Sequence, residues 1–179
     1  MRMGNLTNRY CDLKFQKNYS SNAFLRKMRS FIDLTMIPNY LLDIALELSP
    51  VDASTRALMV LTKHFNMDQT IFHLKNLNYT HFAIIIEVLK EIGVDVKACS
   101  EKEFSDALSL SQSIHPYIYE GLITNLDEKN RACFNSDIYV DDMFTNRLLN
   151  RYGFNWPSIG KKYLQNYYRY FKNIGYFKS

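Results

Sequence analysis

The glycines of this chain are scattered, and their spacing limits the folds that the chain can form. The sequence has 6 glycines in 179 residues, namely Gly4, Gly93, Gly121, Gly153, Gly160 and Gly175. A dinucleotide-binding fold needs clustered glycines between a strand and a helix, because backbone N–H groups must approach the pyrophosphate at the helix N-terminus. The sequence has no such cluster. We therefore expect no complete nucleotide-binding domain within these residues.

Helix-start and helix-stop signals predict a mainly helical chain. Asn22 is a suitable N-cap for a first helix, and Ile37-Pro38 is expected to stop it. A second helix is predicted to start at Ser49-Pro50-Val51-Asp52, with Ser49 as its cap and Pro50 at the first helical position. This helix would bury Leu61.

The later part of the chain continues this pattern. Thr80 is expected to cap a helix that buries Ile85 and ends at Gly93, and Ser100 forms a capping box with Glu103. Two more helices are predicted over residues 141–152 and 157–174, closed by Gly153 and Gly175, and short strands are predicted over 71–74 and 94–98. The sequence therefore predicts an α+β, mostly helical fold, with residues 1–179 in a single domain.

The composition predicts neither a nucleic-acid nor a membrane partner and no metal. The formal net charge of +4 permits an acidic partner but does not demand nucleic acid. No apolar run approaches the length of a membrane span. The three cysteines are widely separated and odd in number, which favours reduced thiols and a cytoplasmic location. The four histidines show no metal-ligand spacing, so no metal site is expected.

The last predicted helix is rich in tyrosine and lysine, and it allows more than one interpretation. Aromatic and basic residues together can bind single-stranded nucleic acid, but these tyrosines follow the apolar stripe of the helix, which favours burial. The stripe is predicted to contain Ile159, Tyr163, Tyr167, Tyr170 and Ile174. The lysines on the opposite face are expected to be solvated, although they also suit an acidic partner protein.

The first two dozen residues carry the most specific pattern of the sequence. Arg2-x-Gly4-Asn5-Leu6 has the character of a strand end, and Phe15-Gln16-x-Asn18 lies in the polar loop that leads to Asn22-Ala23-Phe24. These motifs resemble a stretch of the terminal thioester reductases of nonribosomal peptide synthetases and of carboxylic acid reductases. Such enzymes are NADPH-dependent members of the extended short-chain dehydrogenase/reductase superfamily.

Later motifs extend this resemblance over nearly the whole chain, but only over the second half of such a reductase. In chain order they are Glu47-x-x-Pro50-Val51-Asp52, Phe72-His73-Leu74-x-Asn76, Gly93, Glu103-Phe104, and Trp156-Pro157 through Tyr163-Leu164 to Tyr170-Phe171-x-x-x-Gly175-Tyr176. The resemblance implies that residues 1–8 are a remnant strand end of a Rossmann-type sheet that lies elsewhere. Residues 9–179 would then be the helical C-terminal substrate subdomain.

The resemblance also implies a function and a set of site residues. The intact enzymes reduce acyl or peptidyl thioesters on the phosphopantetheine arm of a carrier protein, to an aldehyde or an alcohol. In an intact reductase Arg2, Gly4, Asn5 and Leu6 would lie against NADP(H). Phe15, Gln16 and Asn18 would contact the substrate. Partners would be the carrier protein and a nucleotide-binding half or other synthetase modules.

No catalytic residue is expected in this chain. The family uses a Tyr-x-x-x-Lys pair with an upstream serine or threonine, and this spacing occurs only at Tyr168 and Lys172, in the segment that matches the family's tail. In that segment the pattern predicts a packed aromatic residue and a solvated lysine. We therefore expect the chain alone to bind no NADP(H) and to be inactive.

The sequence departs from the family at two points. Asp12-Leu13 stands where the family tends to have Asp-Gly, which removes the residue best suited to a positive φ. Ala53-Ser54-Thr55 is more polar than usual.

Three alternatives stay open. The amides of Gln16 and Asn18 could bond to their own loop, and Arg2 could be a frayed, solvated charge. The whole chain could be a non-catalytic module that docks a carrier protein or a partner subunit. An unpaired strand edge and an apolar patch of Met1, Met3, Leu6 and Val51 would favour self-association.

Overall fold

A computed structural model describes residues 1–65, 71–133 and 141–177. Seven helices are found in these residues. They are α1 (Ala23–Leu34), α2 (Val51–His64), α3 (Phe82–Glu91), α4 (Glu101–Ile114), α5 (Pro116–Leu122), α6 (Met143–Arg151) and α7 (Lys161–Asn173). Single turns of 3₁₀ helix occupy Tyr19–Ser21, Asn39–Leu41 and Ile123–Asn125.

The strands are two or three residues long. They are β1 (Arg2–Met3), β2 (Leu6–Thr7), β3 (Met36–Pro38), β4 (Ala45–Leu46), β5 (Ser49–Pro50), β6 (His73–Leu74), β7 (Thr80–His81) and β8 (Lys97–Cys99). The prediction of an α+β, mostly helical fold is confirmed. No described helix is long and apolar enough to span a membrane.

The chain forms two compact units, each made of several chain segments. Unit 1 consists of Met1–Phe15, Ala45–Thr80 and Ser136–Tyr163. Unit 2 consists of Gln16–Ile44, His81–Asn135 and Leu164–Ser179. The interpretation of residues 1–179 as a single domain, with 1–8 as a remnant strand end and 9–179 as the substrate subdomain, stays a prediction.

Parallel strand pairs and two helices build unit 1. β1 pairs with β6 in the register Arg2↔His73, and β2 pairs with β5 in the register Leu6↔Ser49. The N-terminal segment is thus hydrogen-bonded to two later segments rather than left as a free strand. Beside these strands, α2 and α6 enclose a core of Ala53, Ala57, Leu61, Phe72, Leu74, Leu149 and Phe154.

Helices dominate unit 2. The side chain of Asn22 caps α1 by accepting from the Leu25 N–H, as predicted. Phe31 on α1 contacts the rings of Phe82 and Phe104, with centroids 6.1 and 5.9 Å away. Gly121 on α5 lets this helix approach α1 closely, because a Cβ at Gly121 would lie 2.9 Å from the Arg26 carbonyl oxygen and still closer to Ser30 Oγ. The strands β3 and β8 form a parallel pair in this unit.

Several predicted element ends are confirmed and others are wrong. Ser100 and Glu103 form the capping box of α4, and Gly153 and Gly175 adopt positive φ after α6 and α7. However, α1 ends at Leu34, because Thr35 takes a left-handed conformation before Ile37-Pro38 is reached. The predicted cap at Thr80 is also wrong, since Thr80 is buried in β7 and His81 precedes α3.

The start of α2 differs from the prediction for a tertiary reason. Pro50 is the N-cap of α2 rather than its first helical residue, and Ser49 makes no cap hydrogen bond. The backbone N–H of Ser49 donates to the Asn5 carbonyl over 2.8 Å, which holds Ser49 and Pro50 in an extended strand.

Candidate functional site

Three of the sequence motifs meet at one carboxylate in unit 1. Glu47 Oε2 accepts from the Asn5 backbone N–H over 2.5 Å, and Glu47 Oε1 accepts from the Asn76 backbone N–H over 3.2 Å. Ser49 Oγ also donates to Glu47 Oε1. The side chain of Asn5 donates back to the Glu47 carbonyl over 3.2 Å. We call these residues, with Gly4, the Glu47 junction.

Gly4 is required by this junction. A Cβ at Gly4 would lie 2.6 Å from Glu47 Oε1 and 2.7 Å from Cδ, with Oε2 closer still. Gly4 does not have a positive φ, so the close approach of Glu47, and not backbone conformation, explains the glycine. The resemblance implied that Gly4 would lie against NADP(H) in an intact reductase. In the structure the space is filled by a side chain of the same unit.

Burial of the junction alters the acidity of Glu47. The partly desolvated carboxylate has its pKa raised above the ordinary value, and the hydrogen bonds from Ser49, Asn5 and Asn76 and the charge of Lys75 oppose this rise. A carboxylate held by three donors from separate segments serves as a cross-link. Both oxygens of this carboxylate already accept hydrogen bonds from these donors.

Asn76 extends the junction to the segment before α7. Its side-chain amide donates to the carbonyls of Leu48, over 3.1 Å, and Pro157, over 3.0 Å. Asn78 also donates to the Pro157 carbonyl, over 3.1 Å. These bonds hold Pro157 outside the helix, and α7 therefore starts at Lys161, four residues later than predicted.

Asp52 anchors the loop that follows β2. Its carboxylate accepts from the backbone N–H groups of Tyr10, over 2.8 Å, and Cys11, over 3.3 Å, and from that of Ala53 over 3.0 Å. Burial alone would raise the pKa of Asp52, but these hydrogen bonds outweigh it and the pKa is lowered. Asp52 therefore has a structural role and fixes the loop as well as the start of α2.

The same loop contains a turn with a residue in a rare conformation. Leu13 has a φ of 61°, the left-handed region that favours glycine. The turn is closed by hydrogen bonds from the Leu13 N–H to the Arg9 carbonyl and from the Arg9 N–H to the Lys14 carbonyl. Asp12-Leu13 thus forms a closed turn without a glycine.

A buried tyrosine joins this loop from α7. The hydroxyl of Tyr163 lies 3.0 Å from Thr7 Oγ1 and 2.5 Å from Asn8 Oδ1, and its ring stacks on Tyr10 with centroids 5.2 Å apart. Burial raises the pKa of Tyr163 strongly, so its phenol stays protonated. The sequence placed Tyr163 on the apolar stripe but did not reveal its polar contacts, because neither Thr7 nor Asn8 is near it in sequence.

The predicted cofactor-side residues lie together in unit 1. Arg2, Asn5 and Leu6 are all exposed. Asn5 is also hydrogen-bonded to Glu47 through both its backbone and its side chain. Arg2 is not frayed, because its N–H donates to the Phe72 carbonyl over 2.9 Å.

The predicted substrate residues are divided between the units. Phe15 is half-buried in unit 1, while Gln16 and Asn18 are exposed in unit 2. The backbone carbonyl of Asn18 accepts from Ser21, through both its N–H and its hydroxyl. The amides of Gln16 and Asn18 are therefore on the surface.

Tyr168 and Lys172 both make structural contacts in unit 2. Tyr168 is fully buried. Lys172 is not the solvated residue expected from sequence, because its Nζ donates to the carbonyls of Ile92, over 2.9 Å, and Gly93, over 3.2 Å. It thus binds the C-terminal end of α3, where a cation is favourable.

The apolar stripe of α7 was also predicted only in part. Tyr163 and Tyr167 are buried, but Ile174 is 41% exposed and Tyr170 is only partly buried. Leu164, Tyr168 and Phe171 are buried instead.

No group of histidine, cysteine and carboxylate side chains among the described residues could hold a metal ion. His73 and His81 contact the carbonyls of Asp141 and Asp43 through Nδ1, and His64 stacks on the ring of Tyr152. Each of these three histidines thus has a structural contact.

The fold is that of part of a terminal reductase domain of a peptide or polyketide synthetase. The chain matches a thiolation-reductase di-domain from an archaeal non-ribosomal peptide synthetase with a TM-score of 0.81 and 26% identity, over 99% of this chain and 36% of that chain. It matches the terminal R domain from the myxalamid PKS-NRPS pathway with a TM-score of 0.79 and 16% identity, over 99% and 44%. The aureusimine biosynthetic cluster reductase domain gives a TM-score of 0.73 and 24% identity, over 97% and 44%.

These matches confirm the resemblance seen in the sequence. The chain spans less than half the length of each of these structures. No protein-family model and no curated protein matches the chain.

Proposed function

We propose that residues 1–179 form the substrate-binding part of an NADPH-dependent thioester reductase. The substrate is an acyl or peptidyl thioester on the phosphopantetheine arm of a carrier protein. The observation that carries this proposal is the Glu47 junction, in which the motifs of the resemblance at residues 4–5, 47–52 and 76 bond to one another. A likeness of 26% identity over 99% of the chain supports it.

In this proposal the chain is the C-terminal subdomain of the reductase. The nucleotide-binding sheet and the catalytic tyrosine and lysine come from another part of the same polypeptide or from a separate chain. NADPH supplies the hydride that reduces the thioester carbonyl carbon. Arg2 and Leu6 offer exposed side chains to the cofactor, while Gly4 and Asn5 hold the segment in shape through Glu47.

Binding and orienting the substrate is the task of this chain's own residues. The primary amides of Gln16 and Asn18 are exposed and suited to the thioester carbonyl and to the amides of a pantetheine arm, since each carries both a donor and an acceptor. Phe15 supplies apolar surface for an acyl chain. The net charge of +4 favours encounter with an acidic carrier protein.

The proposed substrate role can be tested by titrating the isotope-labelled chain with an acyl-pantetheine thioester and following backbone NMR shifts. We expect saturable shifts around residues 15–18. Gln16→Ala and Asn18→Ala should each weaken binding several-fold, because each removes hydrogen bonds of about 0.5–1.5 kcal/mol. Lys17→Ala, between them and also exposed, is the matched control and should bind as the unaltered chain does.

Two outcomes would count against this role. Absence of saturable shifts would contradict substrate binding at residues 15–18. Binding of a carrier protein regardless of whether it carries an acyl-pantetheine arm would favour the alternative of a non-catalytic docking module.

A further inference from the structure

Unit 2 contains a polar cavity of about 340 Å³ that the proposed substrate role does not use. Its walls come from α1, α5 and the segment after α7. The residues that line it are Ser20, Arg26, Arg29, Ser30, Tyr117, Glu120 and Tyr176. Two of these residues are arginines one helical turn apart on α1, so both guanidinium groups lie on the same helix face.

Arg29 contacts two aromatic rings and a carboxylate in this cavity. Its guanidinium carbon lies 5.1 Å from the ring centroid of Tyr117 and 5.3 Å from that of Tyr176, so the cation lies against two aromatic faces. Its Nε lies 3.4 Å from Asp33 Oδ2. The hydrogen bonds formed within residues 1–65, 71–133 and 141–177 do not use its two Nη groups.

Arg26 is oriented by the backbone of the neighbouring helix. Its Nη2 donates to the Glu120 carbonyl over 3.0 Å. Arg26, Arg29 and Tyr176 line the same cavity, and burial raises the pKa of Tyr176 while the charges of Arg29 and Arg26 oppose this rise. Two oriented guanidinium groups therefore converge on one cavity before any ligand binds.

The charge around the cavity decides which ligand it can hold. Asp33, whose side chain is only 4% exposed, compensates the positive charge of Arg29. Glu120 is exposed and lines the cavity as well. A ligand must therefore offer several acceptor oxygens to both arginines at once. A tetrahedral phosphate does so, whereas a planar carboxylate matches one guanidinium fork.

We propose that this cavity binds a phosphate group, as free phosphate or as a phosphate ester, through Arg26 and Arg29. The Nη groups of both arginines donate to the phosphate oxygens, and the Ser20 hydroxyl borders the same space. The cavity volume exceeds that of one phosphate group and leaves room for the alcohol part of an ester. This inference does not depend on the reductase function proposed above.

Calorimetric titration of the whole chain at low salt tests the proposal, with inorganic phosphate, glycerol 1-phosphate and acetate as probes. We expect saturable 1:1 binding of inorganic phosphate and weaker or no binding of acetate. Tighter binding of glycerol 1-phosphate than of inorganic phosphate would identify an ester as the ligand, and the reverse would identify free phosphate. Absence of saturation by both phosphates, or equal binding of acetate, would overturn the proposal.

Variants separate this site from general attraction to a basic protein. Arg26→Gln should weaken phosphate binding about tenfold, which corresponds to the loss of one hydrogen bond to a charged group. Glu120→Gln should strengthen it, because a competing carboxylate is removed. Arg169→Gln, on the exposed surface of α7, is the matched control and should change nothing. Equal weakening by Arg26→Gln and Arg169→Gln would show unspecific binding and refute the site.

Arg29 needs a conservative variant, because its removal leaves the buried Asp33 without its cation. Arg29→Lys keeps the positive charge but loses the planar fork and most of the stacking on the two tyrosine rings. We expect Arg29→Lys to retain the circular dichroism spectrum of the unaltered chain and to weaken phosphate binding several-fold. Unchanged phosphate affinity in a folded Arg29→Lys chain would contradict a role of the guanidinium.

Discussion

The Glu47 junction makes a quantitative prediction about Gly4. In Gly4→Ala the new methyl group would lie within 2.7 Å of the Glu47 carboxylate carbon, so the carboxylate must move away from its donors. Movement of a flexible side-chain end costs little in itself. The cost comes from hydrogen bonds to Asn5, Ser49 and Asn76, each of which is worth about 1.5–3 kcal/mol for a charged acceptor.

Loss of one such hydrogen bond lowers the free energy of unfolding, and the smaller conformational entropy of the unfolded alanine variant offsets part of this loss. The net destabilisation should be about 2 kcal/mol. A double-mutant cycle isolates the cause. Glu47→Ala removes the carboxylate and should itself cost about 2–4 kcal/mol, because the Asn5 N–H and the hydroxyl of the buried Ser49 lose their acceptor. In that background Gly4→Ala should be neutral or slightly stabilising, since nothing remains for the methyl group to displace.

Urea unfolding of the four chains, followed by circular dichroism, measures the cycle. We predict a coupling energy of about 2–3 kcal/mol between Gly4→Ala and Glu47→Ala. If Gly4→Ala costs the same with and without the Glu47 carboxylate, the reasoning is refuted. Glycine at position 4 would then be needed for backbone conformation or for an external ligand.

The pH dependence of stability gives an independent check on Glu47. Its pKa is raised in the folded chain, so the folded state binds the proton more tightly than the unfolded state does. The stabilisation from this group is complete below the ordinary pKa of 4.5 and is lost as the pH rises through the folded-state pKa. The stability of the unaltered chain relative to Glu47→Gln should therefore fall as the pH rises from 4 to 8. A rise would contradict the burial argument.

Three further predictions concern single positions. Leu13→Gly should stabilise the chain by about 1 kcal/mol, because glycine accepts the φ of 61° without strain; thermal unfolding tests this, and a loss of stability would contradict it. Gly121→Ala should destabilise by about 1–3 kcal/mol, because its methyl group would press on Arg26 and Ser30 of α1; an unchanged urea midpoint would exclude this close contact. Met3→Lys should shift any self-associated population toward monomer in light scattering, since Met3 is 43% exposed on β1; a monomer at high concentration before substitution would rule out association there.

Local signals predicted those element ends that depend only on neighbouring residues. The Asn22 cap, the Ser100 and Glu103 capping box, and the positive φ of Gly153 and Gly175 are satisfied within one turn of helix. Leu61 and Ile85 are buried as predicted, because helix periodicity identifies an inward face without knowledge of its partner.

Predictions failed where a distant segment competes for a local group. Ser49 has the residue type of a cap, but its N–H is used by Asn5 and its hydroxyl by Glu47. Pro157 has the residue type of a first helical position, but its carbonyl accepts from Asn76 and Asn78. Asn5, Asn76 and Asn78 are distant in sequence from the groups that they bond, so no local signal reveals these partners.

The sequence identified the motifs of the candidate site but not the contacts between them. The resemblance pointed to Gly4, Asn5 and Asn76 separately, and the structure shows that Glu47 links them. The resemblance placed Gly4 against NADP(H) in an intact reductase, while the structure explains the glycine by the side chain of Glu47, 43 positions away. The arginine cavity of unit 2 left no sequence signal, because Arg26 and Arg29 resemble ordinary surface residues of an amphipathic helix.

The function proposed for this chain is to contribute a substrate-binding part that depends on a nucleotide-binding part for reduction. Its most direct test is NADPH oxidation with an acyl-pantetheine thioester, measured for the chain alone and for the chain co-expressed and purified with a nucleotide-binding half that carries the glycine-rich turn and the Tyr-x-x-x-Lys pair. We predict thioester-dependent oxidation by the combined halves and none by either half alone. Saturable NADPH binding or oxidation by the chain alone would contradict the claim, and so would an assembled complex that binds NADPH but leaves the thioester unreduced.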